Sequence, residues 1–591
     1  MGKIWGFVVH VIKGRWFSLL ASYLIMVGAG TPLLFGTYSK NIKATLGYDQ
    51  QTLNLLSFFK DFGSFVGILS GLVAEVTPTW FVLLTGSVMN FCGYFIIWLV
   101  VAGRMHKPEV WQMCLYIWIG ANSQNFACTG CILPCVVNFP ENRGAILGLL
   151  KGFVGLSAAI LTQMYLAIYG NDSKSLILLI AWLPATLIVV FAYAIRVMKA
   201  ERHPNELKVL YHFLYVSIAL ALFLIVITIL QKEFDFSHGA YAASTIAICA
   251  ILFILLLIVT REEWIICNRK DIKAIKPSSE LATQQPTITE AEASTEEQEP
   301  TLASSSELAT QEPTITEAEA ITEEQEPTPT KHEDQKEEEK AEKSCFITIF
   351  DKPERGENYT ILQAFLSIDM LLICGASLCG LGASLTAADN LGQIGESLGY
   401  PTKTIKIFVS LLSIWNFFGK VFAGFVSETL ITKYRTPRPL VMTFCLFLSA
   451  IGYLMIAFPF PNSVYIASAI TGFTLGAHFS LLFAIVSELF GLKYFSTLSN
   501  CGQLVCPLGS YILNVRVTGM LYDDVALKQL HARGLVRSSV EELICLGVPC
   551  FRKAFIILSS VALFGGLISL ILVMRTRKFY SGDIYKKFRE R

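Results

Sequence analysis

The chain has 591 residues, of which 53% are hydrophobic and 16% are charged, and its mean hydropathy is +0.54. This composition is typical of an integral membrane protein and excludes a soluble globular protein. The net charge of +1 gives no indication of nucleic-acid binding. The sequence has no Gly-x-x-x-x-Gly-Lys-Ser/Thr loop, so nothing in it supports transport driven directly by ATP hydrolysis. We therefore expect the lipid bilayer, and no nucleic acid, as a partner.

Apolar runs long enough to span a bilayer, about 17–25 residues each, recur along the whole chain. Eight precede a polar stretch, at 16–38, 52–74, 78–102, 110–137, 144–169, 176–197, 207–230 and 240–260. Six follow it, at 359–387, 404–427, 439–458, 464–487, 494–515 and 554–574. The predicted fold class is an all-α membrane bundle of fourteen transmembrane helices, or of twelve if two marginal runs lie at the membrane interface.

These runs divide the chain into five parts. We expect a six-helix half at 1–200, two extra transmembrane helices at 201–262, a linker at 263–357, a second six-helix half at 358–578 and a basic tail at 579–591. The linker is acidic and contains a tandem duplication, in which the sequence starting near Glu280 recurs 27 residues later near Glu307. Such a composition cannot bury enough apolar area to fold, which predicts a disordered spacer.

The basic residues predict the topology of the chain. Placing both termini and the linker in the cytosol leaves one or two basic residues in most outer loops, as the positive-inside rule requires. The exception is the last outer loop, 516–553, which holds six. We expect a multi-pass protein of the plasma membrane or of an endomembrane such as the vacuole or the endoplasmic reticulum, for which a monomer is sufficient.

The stretch 59–80 combines an apolar helix with charges and small residues. Lys60 and Asp61 lie inside it, glycines follow at residues 63, 67 and 71, and Glu75 stands where the apolar run ends. Four-residue spacing puts the glycines on one helix face, on which another helix can pack closely. A charge deep in a membrane helix costs about 2.5–3.5 kcal/mol, so such residues normally face a protein interior or a wet cavity.

Gly424-x-x-x-Glu428 repeats the pattern of Gly71-x-x-x-Glu75. Both resemble the start of the loop between helices 2 and 3 of each half in the major facilitator superfamily, although basic residues follow only the second copy. The alternative is that the glycines serve packing and the acids merely end helices. The candidate gating residues are Gly71, Glu75, Arg143, Lys151, Gly424, Glu428 and Glu488.

Other polar residues at membrane depth are candidates for binding a solute or a proton. Asp369 is the buried acid we expect to take and release a proton, because a low-dielectric cavity favours the neutral carboxyl group; the alternative is an acid held by a lysine or by amides. The amides of helix 4 either bond neighbouring helices or coordinate a polar solute. The full set is Asp369, Asp61, Lys60, Asn122, Gln124, Asn125, His478, Asp389 and Asn390.

The fifteen cysteines fall mostly in apolar segments, where they act as small hydrophobic residues. Cys128, Cys131 and Cys135 have no histidine or acid nearby that would complete a metal site, so we expect no metal and no cofactor. Cys545 and Cys550 lie on the last outer loop and are candidates for a disulfide if that side is oxidising. No Ser/His/Asp constellation supports an enzyme.

Several stretches together resemble the plant nodulin-like branch of the major facilitator superfamily, the NUCLEAR FUSION DEFECTIVE 4-like proteins. They include FKDFGSFVG, GLVAEVTP, GANSQNFA, NFPENRG and CGLGASLTAADNLGQIGESLGY at 379–400. The resemblance implies a transporter fold with two pseudo-symmetric halves and a nodulin-like first half, but no substrate. The chain departs from the branch in its duplicated acidic linker and in Cys128, Cys131 and Cys135.

The sequence thus predicts a secondary transporter in which two halves rock about a central site by alternating access. We expect a small polar or anionic solute, with proton coupling through Asp369 and Asp61 as an addition. The competing hypothesis is a non-transporting receptor or scaffold on the same fold that signals through the linker.

Overall fold

The computed structural model of the chain describes residues 2–48, 50–170, 173–198, 206–234, 236–280, 353–534 and 545–584. These residues form helices joined by turns, and no strand occurs among them. In lipid, backbone groups must be bonded within the protein, which a helix achieves through its own hydrogen bonds. The predicted all-α fold is therefore confirmed. Residues 1–264 and 351–591 form one compact unit, which the following paragraphs describe.

The helices before the predicted linker are α1 (Gly2–Lys13), α2 (Arg15–Ala29), α3 (Phe35–Leu46), α4 (Gln50–Phe65), α5 (Ile68–Val76), α6 (Thr79–Val101), α7 (Val110–Asn138), α8 (Arg143–Tyr169), α9 (Ser173–Phe191), α10 (Glu206–Glu233) and α11 (His238–Glu280). A short 3-10 turn, Thr31–Leu34, joins α2 to α3.

The helices after the linker are α12 (Ile361–Phe365), α13 (Ile368–Ser397), α14 (Thr402–Tyr434), α15 (Arg438–Ala457), α16 (Ser463–Leu489), α17 (Phe495–Gln503), α18 (Val505–Ser510), α19 (Met520–Ala532) and α20 (Pro549–Ser581). A π-helix, Tyr511–Gly519, joins α18 to α19.

The described residues contain eleven helices that are long and apolar enough to cross a membrane, or twelve if the bent pair α1–α2 forms one span. The two arms of that pair meet at 64°. Helices α7 and α14 are not among the eleven, although they have 29 and 33 residues. The chain is thus a multi-pass membrane protein, whereas the count of fourteen spans stays a prediction.

The predicted run 52–74 is not one unbroken helix, whereas α6 lies where the run 78–102 predicted it. Helix α4 ends at Phe65, α5 begins at Ile68, and a third helix, α6, begins at Thr79 after Pro78. Gly67 lies at the break with φ −99° and ψ 12°. A break inside a membrane segment frees carbonyl groups, which side chains of a neighbouring helix must then satisfy.

The predicted outer loop 516–553 is largely helical. Helices α17 to α19 with the π-helix run on to Ala532, so that 38 residues form one continuous rod. Ala526 is 1% exposed because it packs in an apolar cluster with Cys545 and Phe551. Burial of this face explains why the chain stays helical where its charges predicted a loop.

The predicted linker, 263–357, begins with a helical segment. Helix α11 continues to Glu280, whereas we expected disorder from residue 263. Residues 281–352, with both copies of the duplicated sequence, lie outside the described residues. At the other end of the chain, α20 extends to Ser581 and includes the first residues of the predicted basic tail.

Several contacts join the helices before the linker to those after it, and two of them are the most extensive. Helix α8 packs along α14, and α5 packs against α17. We refer to the end of the bundle where α5 and α14 end and α8 and α15 begin as the predicted cytosolic end. The residues predicted to gate the protein lie near these two contacts.

A candidate gate and candidate solute site

An arginine between two glutamates forms a buried ion cluster at the predicted cytosolic end. The side chain of Arg438 is 0% exposed. Its Nε donates to Glu488 Oε1 at 2.7 Å, and its Nη2 donates to Glu428 Oε2 at 2.8 Å. The hydroxyl of Tyr580 donates to Glu488 Oε2 at 2.9 Å. The guanidinium group thereby satisfies both carboxylates, which could not stay charged without it in this environment.

This cluster also holds the first turn of α8. The backbone N–H of Gly144 donates to Glu428 Oε2 at 2.9 Å, and Arg143 Nη1 donates to the Ser487 carbonyl oxygen at 2.9 Å. A carboxylate at a helix N-terminus is further favoured by the helix dipole. We call Arg143, Glu428, Arg438 and Glu488 the latch, because they join α8 to α14, α15 and α16.

Beside the latch, α8 and α14 cross at two glycines. A Cβ atom on Gly424 would lie 2.5 Å from the Gly144 oxygen and 2.8 Å from Gly148 Cα. Such distances are shorter than any carbon atom tolerates, so only glycine permits this crossing. The backbones of the two helices are therefore in direct contact where the latch closes.

The first copy of the Gly-x-x-x-Glu pattern makes a similar contact through other helices. A Cβ on Gly71 would lie 2.6 Å from Thr497 Cα, so α5 touches the backbone of α17. Glu75 lies against Thr497 and interacts with the charge of Lys493. The structure thus brings six of the seven predicted gating residues to one end, and the seventh, Lys151, lies further along α8.

Sequence reasoning noticed Arg438 only as one of several basic residues after Glu428. Its position directly before Pro439, at the start of an apolar helix, is the signal that could have identified it. A charged residue that begins a helix and is also fully buried needs acid partners. The two acids lie 10 and 50 residues away in the chain, so only the fold reveals the pairing.

The amides of α7 bond the broken helix α4–α5. Asn122 Nδ2 donates to the carbonyl oxygens of Gly63 at 3.2 Å and Val66 at 2.9 Å, and Asn125 Nδ2 donates to Gly63 at 2.8 Å. They satisfy carbonyl groups that the break frees. Gln124 is half-buried on the same helix and is not part of this bond set. The interhelical role that we left open is thus the one that the geometry favours for both asparagines.

A second polar group, absent from our predictions, links α5, α7 and α17. Asn500 Nδ2 donates to Thr129 Oγ1 at 3.0 Å and to Ser70 Oγ at 3.3 Å, and Gln503 Nε2 donates to Asn500 Oδ1 at 3.0 Å. All four residues are buried. Serine, threonine and amide side chains are too common in membrane helices for the sequence to single these out.

Asp369 lies between two arginines. Its carboxylate accepts from Arg355 Nε at 2.7 Å and from Arg575 Nε at 2.8 Å. We expected this acid to take and release a proton, and our alternative was an acid held by a lysine or by amides. Two guanidinium groups hold it instead, and they favour its charged form. Burial and the charge of Asp369 raise the pKa of the neighbouring Tyr359 hydroxyl, which donates to Pro353 O at 2.6 Å. The structure does not bring Asp369 together with Asp61.

Four other predicted residues do lie together. Lys60 and Asp61 of α4 form an ion pair at 2.7 Å, and both interact with the charge of Asp389 on α13. Asn514 Nδ2 donates to Asp389 Oδ2 at 3.1 Å, and Asn390 Nδ2 donates to Asn514 Oδ1 at 2.7 Å. Asn514 was missed because it belongs to the π-helix, a geometry that is frequent at functional sites and has no simple sequence signature.

The remaining candidates are buried side chains of the interior. His478 Nε2 lies 3.2 Å from Ser377 Oγ, as expected for an interior histidine with a partner. Lys151 is 8% exposed, and its Nζ lies 4.1 Å from the centroid of the Phe483 ring. Lys151 is thus buried among α8 and α16 rather than exposed at a loop.

The cysteines separate into a bonded pair and buried thiols. Cys545 and Cys550 are joined by a disulfide. Cys128 Sγ lies 3.8 Å from Met26 Sδ, and Cys135 Sγ donates to Ser22 Oγ at 3.3 Å. Within the described ranges, no group of three or more His, Cys, Asp or Glu side chains has the geometry to hold a metal ion.

Two protein-family models match the chain. Residues 15–260 match the family described as Nodulin-like, and residues 359–582 match the family described as NFD4, C-terminal domain. Together the matches cover most of the chain on both sides of the predicted linker.

Individual proteins are similar to the chain at lower levels. Protein NUCLEAR FUSION DEFECTIVE 4 of Arabidopsis thaliana is 24% identical over 586 residues, which are 96% of this chain and 89% of the relative. A probable transporter, MCH1 of Yarrowia lipolytica, is 25% identical over 29% of this chain and 34% of its own length. Among solved structures, the proton:xylose symporter XylE of the major facilitator superfamily superimposes with a TM-score of 0.51, at 10% identity and over 96% of each chain. That likeness establishes the fold.

Proposed function

The chain belongs to the nodulin-like, NFD4-like branch of the major facilitator superfamily, and from this premise we propose that it is a secondary transporter of a small polar or anionic solute. The solute crosses by alternating access, in which the helices before and after the linker rock about a central site. The relative named a probable transporter supports transport as the activity.

The observation that carries the proposal is the difference between the two ends of the bundle. At the predicted cytosolic end, the latch is fully buried and crosses from α8 to α14 and α16. Around Lys60, Asp61 and Asp389, by contrast, Asp389 is exposed and the Asp61 side chain is 47% exposed. Buried charges at one end and accessible charges at the other form the asymmetry that alternating access requires.

We assign proton coupling to Asp389 together with Asp61, in place of Asp369. Two carboxylates that share one site cannot both stay charged at low cost, so a proton is readily bound by one of them. Lys60 and Asn514 are the other polar groups that face this pair. Asp369 has two arginines as partners rather than a second carboxylate, so its charged form is stable. It holds the start of α13 against α20.

The experiment that tests transport is the uptake of labelled solutes by proteoliposomes. The panel contains neutral sugars, amino acids, monocarboxylates, dicarboxylates and inorganic phosphate, each assayed with and without an inward proton gradient. We expect saturable uptake of at least one polar or anionic solute above the rate of protein-free liposomes. Absence of any flux, from protein that is monodisperse and helical, would contradict the proposal.

A further inference from the structure

Two lysines at the crossing of α8 and α14 have no acidic partner among the described residues. Lys151 and Lys420 are each 8% exposed, and they interact electrostatically with each other and with the Cys128 thiol. Within the described part of the chain, no carboxylate contributes to the electrostatics of either ammonium group. By contrast, Glu428, Arg438, Glu488 and Asp369 are each held in an ion pair.

Such an arrangement is unfavourable unless something else compensates it. A buried ammonium group loses its hydration, and a second one beside it adds repulsion. The face of the Phe483 ring, 4.1 Å from Lys151 Nζ, offsets only a small part of that cost, since a cation–π contact contributes about 2 kcal/mol when desolvated. Ionisable residues inside a membrane protein with no such compensation indicate a functional site.

The position of the pair is central to the mechanism. Lys151 is contributed by the Nodulin-like region and Lys420 by the NFD4 C-terminal region. A Cβ atom on Gly155, one turn after Lys151, would lie 3.6 Å from Lys420 Nζ and 3.7 Å from Asn416 Oδ1. The Lys420 ammonium group therefore reaches across to α8, where a ligand held by both lysines would join the two moving parts.

One wall next to the pair is apolar. Gly152 lies against Phe417 and Val421, which a Cβ atom there would meet at 3.2–3.3 Å. The thiols of Cys128 and Cys506 also interact with Lys151. Two cations among apolar side chains favour a compact anion with a small apolar body over a large hydrophilic one.

We propose that Lys151 and Lys420 form the substrate anion site and that the transported solute is a small organic acid whose carboxylate or phosphate group lies between the two ammonium groups. This inference rests on the proposed transport function and adds the chemical class of the solute. Lysine suits this role because its ammonium group offers three donors that can follow an anion as the helices move.

The test measures ligand binding and transport separately on the same purified, full-length protein. Binding is followed as the rise in melting temperature with increasing lactate, malate, succinate or inorganic phosphate, with glucose as the neutral probe. The variants are Lys151→Met and Lys420→Met, and the matched control is Lys433→Met, an exposed lysine of α14. The carboxylates and phosphate in the panel distinguish the two acid groups.

We expect at least one anion to stabilise the wild type saturably and Lys433→Met equally. Lys151→Met and Lys420→Met should each bind that anion at least roughly 30-fold more weakly than the wild type. Loss of one partner of a buried charge pair produces a factor of this size. Without ligand, both variants should melt at a higher temperature than the wild type, because an unpaired buried charge has been removed. A purely structural role for either lysine predicts the opposite change.

The outcomes separate this inference from the transport proposal. If the wild type takes up a neutral solute and no anion binds, or if anion binding is the same in all variants, the lysine site is refuted while transport stands. If an anion binds through both lysines but no solute crosses the membrane, the site stands and transport is refuted.

Discussion

At the scale of single residues, the account depends on buried charges whose partners come from distant parts of the chain. Arg438 joins Glu428 and Glu488, and through Glu428 it reaches the N-terminus of α8. The acids were predictable as gating residues from the repeated Gly-x-x-x-Glu pattern and its surroundings. The arginine between them could not be predicted, because a pairing between residues far apart in the chain has no local sequence signature.

Replacing Arg438 should therefore destabilise the folded protein more than replacing a surface arginine. In Arg438→Met, two buried carboxylates lose their counter-charge, and we expect a loss of about 3–5 kcal/mol of stability. The measurement is thermal unfolding in detergent. The control is Arg435→Met, three residues earlier, whose side chain is 48% exposed and which should melt close to the wild type. Equal melting temperatures for the two variants would contradict the role of the latch.

The two aspartates of α13 should differ in their effect on coupling. Asp389→Asn removes the group that shares a site with Asp61, so we expect uptake to lose its stimulation by a proton gradient. Asp369→Asn, which keeps the size of a side chain already held by Arg355 and Arg575, should retain that stimulation. Proteoliposome uptake with and without the gradient compares them. If Asp389→Asn keeps its stimulation by the proton gradient, our assignment is refuted and Asp369 becomes the better candidate for proton coupling.

At the scale of helices, the sequence predicted most elements and missed how they bend. Apolar runs located the spans, since length and hydropathy are local properties. The break at Gly67 and the π-helix Tyr511–Gly519 could not be predicted, because each depends on partners such as Asn122 and Asn390 in other helices. The continuation of α19 into the predicted loop depends in the same way on the apolar cluster around Ala526.

The crossing of α8 and α14 should not tolerate a side chain. In Gly424→Leu, the new atoms would overlap Gly144 and Gly148, so we expect the two helices to separate and the latch to open. Cys128, 6% exposed at present, should then react faster with N-ethylmaleimide, as quantified by peptide mass spectrometry. The control is Gly392→Leu, where a Cβ atom would meet nothing within 4 Å. Equal rates in the two variants would argue against a tight crossing.

At the scale of the whole molecule, the family and the bundle were predictable from motifs that span both sides of the linker. The count of fourteen spans and the symmetry of the two halves stay predictions. Amides in α7 and lysines in α14 weaken the hydropathy signal of those two helices. Sequence reasoning named both lysines but not as a pair. Lys151 was assigned to gating, and both Lys151 and Lys420 were considered as residues that pair with an acid or attract an anionic solute. Their meeting at one crossing is a property of the folded chain.

The linker distinguishes the transporter from the receptor hypothesis. Deletion of residues 281–343 should leave the initial rate of solute uptake unchanged, since the gate and the lysine pair lie wholly outside that segment. The assay is uptake by proteoliposomes that contain equal amounts of full-length and deleted protein. If the deletion instead abolishes a cellular function while flux stays normal, signalling through the linker becomes the better account.

The most direct test of the central claim is a distance measurement across the latch. Spin labels at Val76 and Tyr434, which are 83% and 62% exposed, report on the separation of α5 and α14 at the predicted cytosolic end. Labels introduced as noncanonical amino acids leave the native cysteines in place, and pulsed electron paramagnetic resonance in nanodiscs gives the distance distribution. We predict a short distance and a second, longer one in the wild type, with the longer one dominant in Gly424→Leu. A single distribution, identical in both proteins, would contradict alternating access through this latch.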